Sequence, residues 1–487
     1  MPVNSEHRLY TAFIDRWTRC RDSYGGQDDV KKKTTLYLPL LEGHAGSSGA
    51  AYTGYLARAS FYPAMTRTVA GLAGLVYAKP PTVKSVPTLN QADFSDVTLT
   101  GVSVGGYGLG LCHEALITGR VGTLLDMPPA LPEGVPPVLG KPIRPYWVLY
   151  TAEQVVNWQT ARINGKQVLT LVVLSEEVEE FAADAFEPTV KQQFRVLQLN
   201  GGVYTVTIYT QDKDDQKKFL AGPPVVPTRR GVALPFIPFS FLSAEGVETG
   251  IRTPPLLPLV DVNLSHFRNS ADHEHGAHFT ALPTPWIAGH DVPQGTSLTI
   301  GSGNAWVFPN ASAHAGMLEF TGAGLASLAA LKEEKRMLMS TLGARMLETQ
   351  KDLSEAAQTV RLRHAGESSA MSVLAEAVGQ SLTQSIRWHL FWSGLDEAVA
   401  DKALVTMNPD VMDELTSEDI RILVEGWQRG AISKRTLHYN LTWGEWTRPG
   451  VTFEEEEADI KKEAVDKPNP ELPVVPRPGP IPPPASS

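Results

Sequence analysis

Residues 256–278 read LLPLVDVNLSHFRNSADHEHGAH. Its apolar residues recur at steps of three and four: Leu256, Val260, Leu264, Phe267 and Ala271. Such spacing places the side chains on one face of a helix, which buries that face against a core. The stretch therefore predicts one continuous amphipathic helix.

The same helix carries a histidine-rich segment, DHEHGAH at 272–278, which raises the question of a metal site. A zincin needs histidines at i and i+4 with a glutamate between them, whereas His273, His275 and His278 are spaced at two, three and five. On a helical projection His275 and His278 fall near the apolar stripe, and His273 falls on the far side near His266. We expect hydrogen-bonding histidines near a helix end. A metal-dependent hydrolase built on this segment is the alternative from the enzyme class.

Composition narrows the class of protein. The 487 residues include 42% hydrophobic and 20% charged residues, with 41 glycines and 37 prolines, which favours an α+β protein with many turns. Two cysteines are too few for a disulfide framework or a zinc site. The net charge of −10 argues against binding nucleic acid by broad phosphate neutralisation.

No targeting segment is evident. The N-terminal residues carry charges where a signal peptide needs an apolar core, and no run of about 18 apolar residues occurs. We therefore expect a protein that is soluble when made in a reducing cytoplasm and that does not enter a membrane.

Catalytic motifs are missing as well. The glycine run GVSVGGYGLG at 101–110 lacks a following Gly-Lys-Ser/Thr and does not keep the G-x-G-x-x-G spacing, so turn and packing glycines are predicted. No G-x-S-x-G elbow occurs, and Cys112 beside His113 cannot itself set a nucleophile geometry. We predict no enzyme, no catalytic residue, no metal and no cofactor.

The remaining chain divides by its hydrophobic period. Residues 1 to about 80 are predicted helical, and the period changes to two from about 145 to 242, with hairpins at Asn164-Gly165 and at 200–202. Short strands are expected between 279 and 320, a helix at 324–347, and a long helix from about 354 to 393 after a polar break. A helical hairpin is predicted at 416–441, followed by an acidic and then Pro-rich tail expected to be extended or disordered.

This order of elements resembles the portal proteins of tailed bacteriophages. The wording carries the resemblance further, in YLARASFYPAMTRTVAGLAGLVYAKPP (55–81), ITGRVGTLLDMPP (117–129), PYWVLYTAEQVVNW (145–158) and DVNLSHFRNSADHEHGAHFTALPTPWIAG (261–289). These segments look like a family of phage proteins formerly of unknown function and usually interpreted as portals. The likeness runs from about residue 30 to 395.

The resemblance implies a portal-like α+β fold with named parts. They are an N-terminal wing region at 1–250 with its antiparallel β part at about 145–242, a stem helix at 251–277, a small β clip at 278–320, a second stem helix at 321–345, a tunnel loop at 346–354, a long kinked wing helix at 355–399, crown-like helices at 400–450 and a disordered tail at 451–487.

The resemblance also implies a function. Portals form a ring of about twelve copies at the unique capsid vertex. Double-stranded DNA passes through the ring during packaging and ejection, and the ring docks the terminase large subunit and head–tail adaptors beside the major capsid and scaffold proteins. The protein would be assembled in the host cytoplasm and located in the virion. Another head–tail connector component is the alternative among structural proteins, although two long helices flanking a β module favour a portal.

Two sets of residues follow from that interpretation. The DNA-channel candidates are Arg268, Lys332, Lys335 and Arg336 in the stem and Lys351, Arg361 and Arg363 at the tunnel loop. The candidates for contacts between neighbouring stems are His266, His273 and His275. The competing interpretation of the basic residues is a solvated helix face with local ion pairs, since Glu333 and Glu334 lie among them.

Overall fold

The structure is a computed structural model with helices and antiparallel sheets, which confirms the α+β expectation. It describes residues 2–41, 49–128, 143–181, 186–212, 215, 217–281, 284–289, 307–308, 310, 312–318, 322–343, 357–407, 417–443, 446–448 and 451–466. The chain divides into two compact units, Met1–Val411 and Met412–Ser487.

The first unit begins with helices, as predicted. They are α1 (Arg8–Gly25), α2 (Gln27–Lys32), α3 (Ala50–Arg58), α4 (Ala64–Val76) and α5 (Val104–Thr118). Trp17 of α1 and Met65 of α4 are fully buried in the core of this unit. These helices form the layer against which the later elements pack.

The glycine run at 101–110 corrects one expectation, because α5 begins inside it. Ser103 is the N-cap and its Oγ accepts a hydrogen bond from the N–H of Gly106 at 3.3 Å. A Cβ on Gly108 would lie 2.1 Å from the Tyr77 hydroxyl and 2.9 Å from Leu382. The expectation of a turn is therefore wrong and that of packing glycines is confirmed, since close packing and a good cap outweigh the low helix propensity of glycine.

Antiparallel sheets follow the N-terminal helices. The strands are β1 (Thr82–Lys84), β2 (Val121–Asp126), β3 (Tyr146–Thr151), β4 (Val155–Ile163), β5 (Lys166–Glu180), β6 (Thr189–Asn200), β7 (Val203–Gln211), β8 (Phe219–Ala221), β9 (Thr228–Arg229), β10 (Val232–Ala233) and β11 (Phe239–Leu242). One sheet has the order β4-β5-β6-β7-β8 and another has the order β11-β2-β3, while β9 pairs with β10. Asn164 and Gly165 both have positive φ, at 50° and 79°, which confirms the hairpin.

The middle of the chain forms a helical pair with strands between its members. Helix α6 (Leu257–Ala281) precedes β12 (Thr284–Ala288), which pairs antiparallel with β13 (His314–Leu318), and α7 (Ala323–Leu342) follows. The apolar stripe of α6 is buried from Leu256 to Ala271. The predicted amphipathic helix is confirmed, and the terms stem and clip for these elements stay predictions.

After α7 comes the long helix α8 (Ala357–Trp392), then α9 (Glu397–Ala400) and β14 (Leu404–Thr406), which pairs with β1. The predicted helix from about 354 to 393 is confirmed, because α8 ends at Trp392, and the wing bounds 355–399 stay a prediction. Gly394 follows with a φ of +100°, a conformation that stops a helix at little cost only in glycine. The tunnel loop at 346–354 lies outside the described residues, and the kink of α8 stays a prediction.

The second unit contains α10 (Ser417–Gln428), α11 (Lys434–Trp443) and α12 (Phe453–Asp466). Gly430 has a φ of 74°, and the Ser433 Oγ accepts from the N–H of Thr436 at 3.0 Å, which confirms the predicted helical hairpin.

Helix α12 corrects the expectation of a disordered tail from 451. Thr452 and Glu455 form a reciprocal cap, with the Thr452 N–H donating to Glu455 at 2.9 Å and the Glu455 N–H donating to the Thr452 Oγ1 at 3.3 Å. Arg448 also pairs with Asp459 at 2.7 Å, and Lys461 with Glu457. The cap and the local ion pairs stabilise a helix that the acidic composition of this segment did not predict. Residues 467–487 lie outside the described residues.

Candidate functional site: the paired helices α6 and α7

Helices α6 and α7 pack antiparallel along their length. The Lys335 ammonium donates to the Ser265 hydroxyl at 2.7 Å, and a Cβ on Gly276 would lie 3.0 Å from Leu325. A Cβ on Gly322 would lie 3.4 Å from Thr280. Residue numbers rise on one helix as they fall on the other, so the β12–β13 strands lie at the end of the pair where α6 stops and α7 starts.

Helix α6 is tied firmly to the N-terminal helices. The rings of Phe267 and Phe61 meet edge to face at 5.9 Å, and the amide of Asn263 donates to the carbonyl of Tyr62 at 3.0 Å. Asn263 and Phe267 are both fully buried. The face of α6 away from α7 therefore belongs to the core of the first unit.

Three cationic residues meet at one level of the helical pair. They are Arg268 of α6 and Lys332 and Lys335 of α7, and none of them forms an ion pair with a described carboxylate. Arg268 donates instead to the carbonyl of Tyr37 at 3.0 Å. Burial and the nearby Arg268 lower the pKa of Lys335. In a chain of net charge −10, this level is a local concentration of positive charge.

His266 lies beside these cations. Burial, and then Lys332 and Lys335, lower the pKa of His266, while Glu333 raises it. Its Nδ1 is buried and has no hydrogen-bond partner among the described residues. The ring is therefore held neutral next to the lysines.

Arg336 differs from its neighbours. Its guanidinium binds both carboxylate oxygens of Glu333, at 2.7 and 2.8 Å. This is the local ion pair on a solvated helix face that the competing interpretation expects. Arg336 is thus neutralised within its own helix turn.

The three basic candidates near the predicted tunnel loop have no described side chains. Lys351 lies outside the described residues. Arg361 and Arg363 lie in α8, but their side chains are outside the described set. Their assignment to the tunnel stays a prediction.

The histidine-rich segment does not converge on one point. The His275 Nδ1 lies 3.2 Å from the Arg58 guanidinium, and its ring meets Tyr55 edge to face at 5.2 Å. The Nδ1 of His273 lies 4.0 Å from the Glu274 carboxylate, beyond hydrogen-bond distance. His278 lies against Phe279 with ring centroids at 5.7 Å. Among the residues described, no group of three His, Cys, Asp or Glu side chains is placed to hold a metal ion.

The contacts of His275 bear on its predicted role between subunits. Tyr55 donates to Asp272 at 2.5 Å, so α3 is joined to α6 through both Asp272 and His275. His275 therefore has partners inside its own chain, and the ring of His266 likewise lies 6.2 Å from that of Tyr62, measured between centroids. Contacts of any of the three with another subunit stay a prediction.

One exposed face of α7 was not predicted from the sequence. Leu331, Leu338 and Leu342 repeat at i, i+7 and i+11 and are exposed by 44%, 46% and 40%. We call these three residues the leucine stripe. Their spacing could have revealed it, because a helix with one partner needs one apolar face, and α7 already packs Leu325 on Gly276 of α6 and buries Met339.

Comparisons with known proteins single out the same part of the chain. Residues 255–393 match a domain of unknown function (DUF4055). That segment contains α6, the β12–β13 strands, α7 and α8. No curated protein matches the chain significantly.

Solved structures give weak similarities. A chain in the virion of a native gene transfer agent (GTA) particle is 12% identical with a TM-score of 0.37, covering 82% of this chain and 94% of that one. A chain in the neck of the native GTA particle, computed with C12 symmetry, is 13% identical with a TM-score of 0.35, covering 78% and 89%. A TM-score below about 0.5 does not establish a shared fold. Among the described helices, none combines the length and apolar character needed to cross a membrane.

Proposed function

We propose that this chain is the portal protein of a tailed bacteriophage, a structural subunit that closes into a ring around a DNA channel. On this proposal α6 and α7 are the stem, the β12–β13 strands belong to the clip, and the elements up to β11 form much of the wing. The ring acts as a conduit for double-stranded DNA and performs no bond-making.

The observation that carries the proposal is the unequal burial of the helical pair. Helix α6 completes a core inside its own chain, but α7 leaves the leucine stripe in solvent. Soluble monomers rarely keep an ordered apolar stripe exposed on a long helix, and such surfaces mark contacts with other protein. In a ring of identical subunits, the stripe of each copy would face its neighbour and lose that exposure.

Electrostatics supports passage of DNA through such a ring. A duplex presents a phosphate about every 1.7 Å of its axis, so many basic contacts would hold it in place. An acidic subunit with a basic level at Arg268 and Lys332, and with Lys335 held between the two helices, would give the channel sparse cationic contacts on a repulsive background. Weak retention permits movement in both directions.

The proposed location and partners follow from this role. The ring would occupy the portal vertex of the virion, with the terminase large subunit and head–tail adaptors docking at the β12–β13 end. Major capsid and scaffold proteins would surround the wing. Another head–tail connector component is the second candidate among structural proteins.

Assembly of the purified chain tests the proposal. We expect negative-stain images of rings with a central hole, and a mass of about twelve subunits by mass photometry. The double variant L331E/L338E should leave the helical content unchanged and release monomers, because charged residues would then line the subunit contact. I163E is the matched control, since Ile163 is also 44% exposed but lies in β4. A wild-type protein that stays monomeric under all assembly conditions would reject a portal.

A further inference from the structure

The first unit contains a cavity that the proposed function does not use. Its volume is about 500 Å³, and it lies between β5, β11 and α8. Its walls include Leu169 of β5, Phe239 and Phe241 of β11, and Gln384 and Trp388 of α8. Mostly apolar walls with a few polar groups are typical of binding pockets of this size.

The floor of this cavity is an open sheet edge. Strand β11 is the outer strand of the order β11-β2-β3, so one of its sides has no neighbouring strand. The N–H of Leu125 donates to the carbonyl of Pro238 at 2.9 Å, which sets the alternation of the ladder. With Ser240 opposite Thr123, Ser240 and Leu242 direct their backbone groups to β2, and Phe239 and Phe241 direct theirs to the open side.

Phe241 leaves hydrogen-bonding capacity at that edge. The N–H of Phe239 is used by the carbonyl of Ile237 at 2.8 Å, but neither backbone group of Phe241 has a partner among the described residues. Phe241 is nevertheless only 2% exposed. Backbone donors and acceptors that face a cavity are free to pair with the backbone of an added strand.

A side chain of the wall adds a second, independent sign. Ser240 lines the cavity and is 8% exposed, and its Oγ has no hydrogen-bond partner among the residues described. Phe236 and Trp388 stack beside it with ring centroids 5.5 Å apart. The cavity thus combines aromatic walls with one unsatisfied hydroxyl.

We propose that this cavity, the β11 slot, binds an extended segment of a partner protein as an added strand. The segment would pair with both backbone groups of Phe241 and place an apolar side chain between β5 and α8. Main-chain hydrogen bonds supply affinity in such strand addition, and the side-chain pocket supplies specificity.

The size of the slot favours a short linear motif over a second copy of this chain. Stable contacts between folded subunits bury about 1,200–2,000 Å², whereas β11 offers an edge of only four residues beside one pocket. A motif of about five residues would cover that edge. The slot is also electrically balanced at its rim, because Glu248 pairs with Arg252 at 2.7 Å, so we expect a neutral, apolar motif.

A tethered peptide tests this inference without knowledge of the natural motif. Val247 lines the slot and is 39% exposed, so V247C places a reactive thiol at its mouth. The native thiols of Cys20 and Cys112 are buried, and burial raises the pKa of each to about 12, so they do not compete. The probe is an acetylated Thr-Val-Trp-Val-Thr peptide with a terminal cysteine, joined by a disulfide.

The readout is hydrogen exchange at the Phe241 amide. We expect the tethered probe to slow this exchange at least tenfold, because the amide gains a hydrogen-bond acceptor. A probe N-methylated at its central three residues cannot pair and should have no effect. V203C is the matched control, since Val203 is also 39% exposed but lies at the start of β7. Equal exchange with both probes, or equal protection from V203C, would overturn the proposal.

Discussion

Helices α6 and α7 form one antiparallel pair but differ in how far their apolar residues are buried. Helix α6 buries its apolar stripe in the core of its own chain, where the Asn263 amide donates to Tyr62 and Asp272 accepts from Tyr55. Helix α7 turns two lysines toward α6 and leaves the leucine stripe in solvent. Folding of the single chain buries the apolar face of α6. The leucine stripe of α7 would be buried only by association with another molecule.

The largest expected effect is a difference in the free energy of unfolding between one side-chain truncation on α6 and one on α7. F267A should lower the free energy of unfolding by about 3–5 kcal/mol, because it removes a fully buried ring packed on Phe61. L338A should change it by less than about 1 kcal/mol in the monomer, because Leu338 is already 46% exposed and alanine has the higher helix propensity. Urea denaturation of both variants measures the difference.

An equal loss of stability in F267A and L338A would contradict this contrast. It would mean that α7 is buried inside the folded monomer, and the reason for assigning its leucine stripe to another subunit would disappear. Helical content measured by circular dichroism before denaturation verifies that both variants fold.

The apolar face of α6 was predicted from the sequence, whereas the apolar faces of α7 were predicted only in part. The predicted helix 256–278 corresponds to Leu257–Ala281, because a single apolar stripe with one partner is what periodicity detects. The leucine stripe on α7 was not predicted, because Lys332 and Lys335 lie between Leu331 and Leu338 and interrupt the apolar pattern. A helix with two apolar faces also lacks the single hydrophobic face that periodicity detects.

A smaller effect is expected where α3 joins α6. Y55F removes the hydroxyl that donates to Asp272 at 2.5 Å and leaves a partly buried carboxylate without that donor. We expect a loss of about 1.5–3 kcal/mol, the usual cost of deleting a hydrogen bond to a charged group. Chemical denaturation at pH 7 measures it. D272N in the Y55F background should cost little more, and full additivity of the two changes would show that the bond is not the cause.

The buried side of α7 should be more tolerant. K335M loses the hydrogen bonds to Ser265 but relieves repulsion from Arg268. The two effects oppose each other, so the free energy of unfolding should change by less than about 1 kcal/mol. Thermal and urea denaturation test this, with S265A as the control that removes the same hydroxyl. A loss as large as that of F267A would show that Lys335 is essential to the core.

The smallest expected effect is a pH dependence at His266. Its pKa is lowered by burial and by Lys332 and Lys335, so the unfolded chain takes up the proton more readily than the folded one. The stability associated with neutral His266 is present above the unfolded pKa of about 6.5 and falls as pH drops below it. H266Q should flatten the decline of unfolding free energy between pH 7 and 5.5, and an identical slope in wild type and variant would remove this role.

The remaining departures from the sequence analysis have specific physical causes. The glycine run resembled a turn because glycine is a poor helix former, yet Gly108 is required by the approach of Tyr77. The pairing of His275 with Arg58 joins positions 217 apart, which no local pattern reveals. The hairpin was easier to predict from the sequence, because the Asn164-Gly165 pair specifies its own turn.

Arg120 has a mechanical consequence for the helical pair. Its guanidinium is stacked between Trp158 and Phe241, at 4.3 and 3.8 Å from the ring centroids, and donates to the carbonyls of Thr249 and Gly250 just before α6. A pulling force on residues 249–250 would therefore load this clamp, and the strands that carry Trp158 and Phe241 would share the strain.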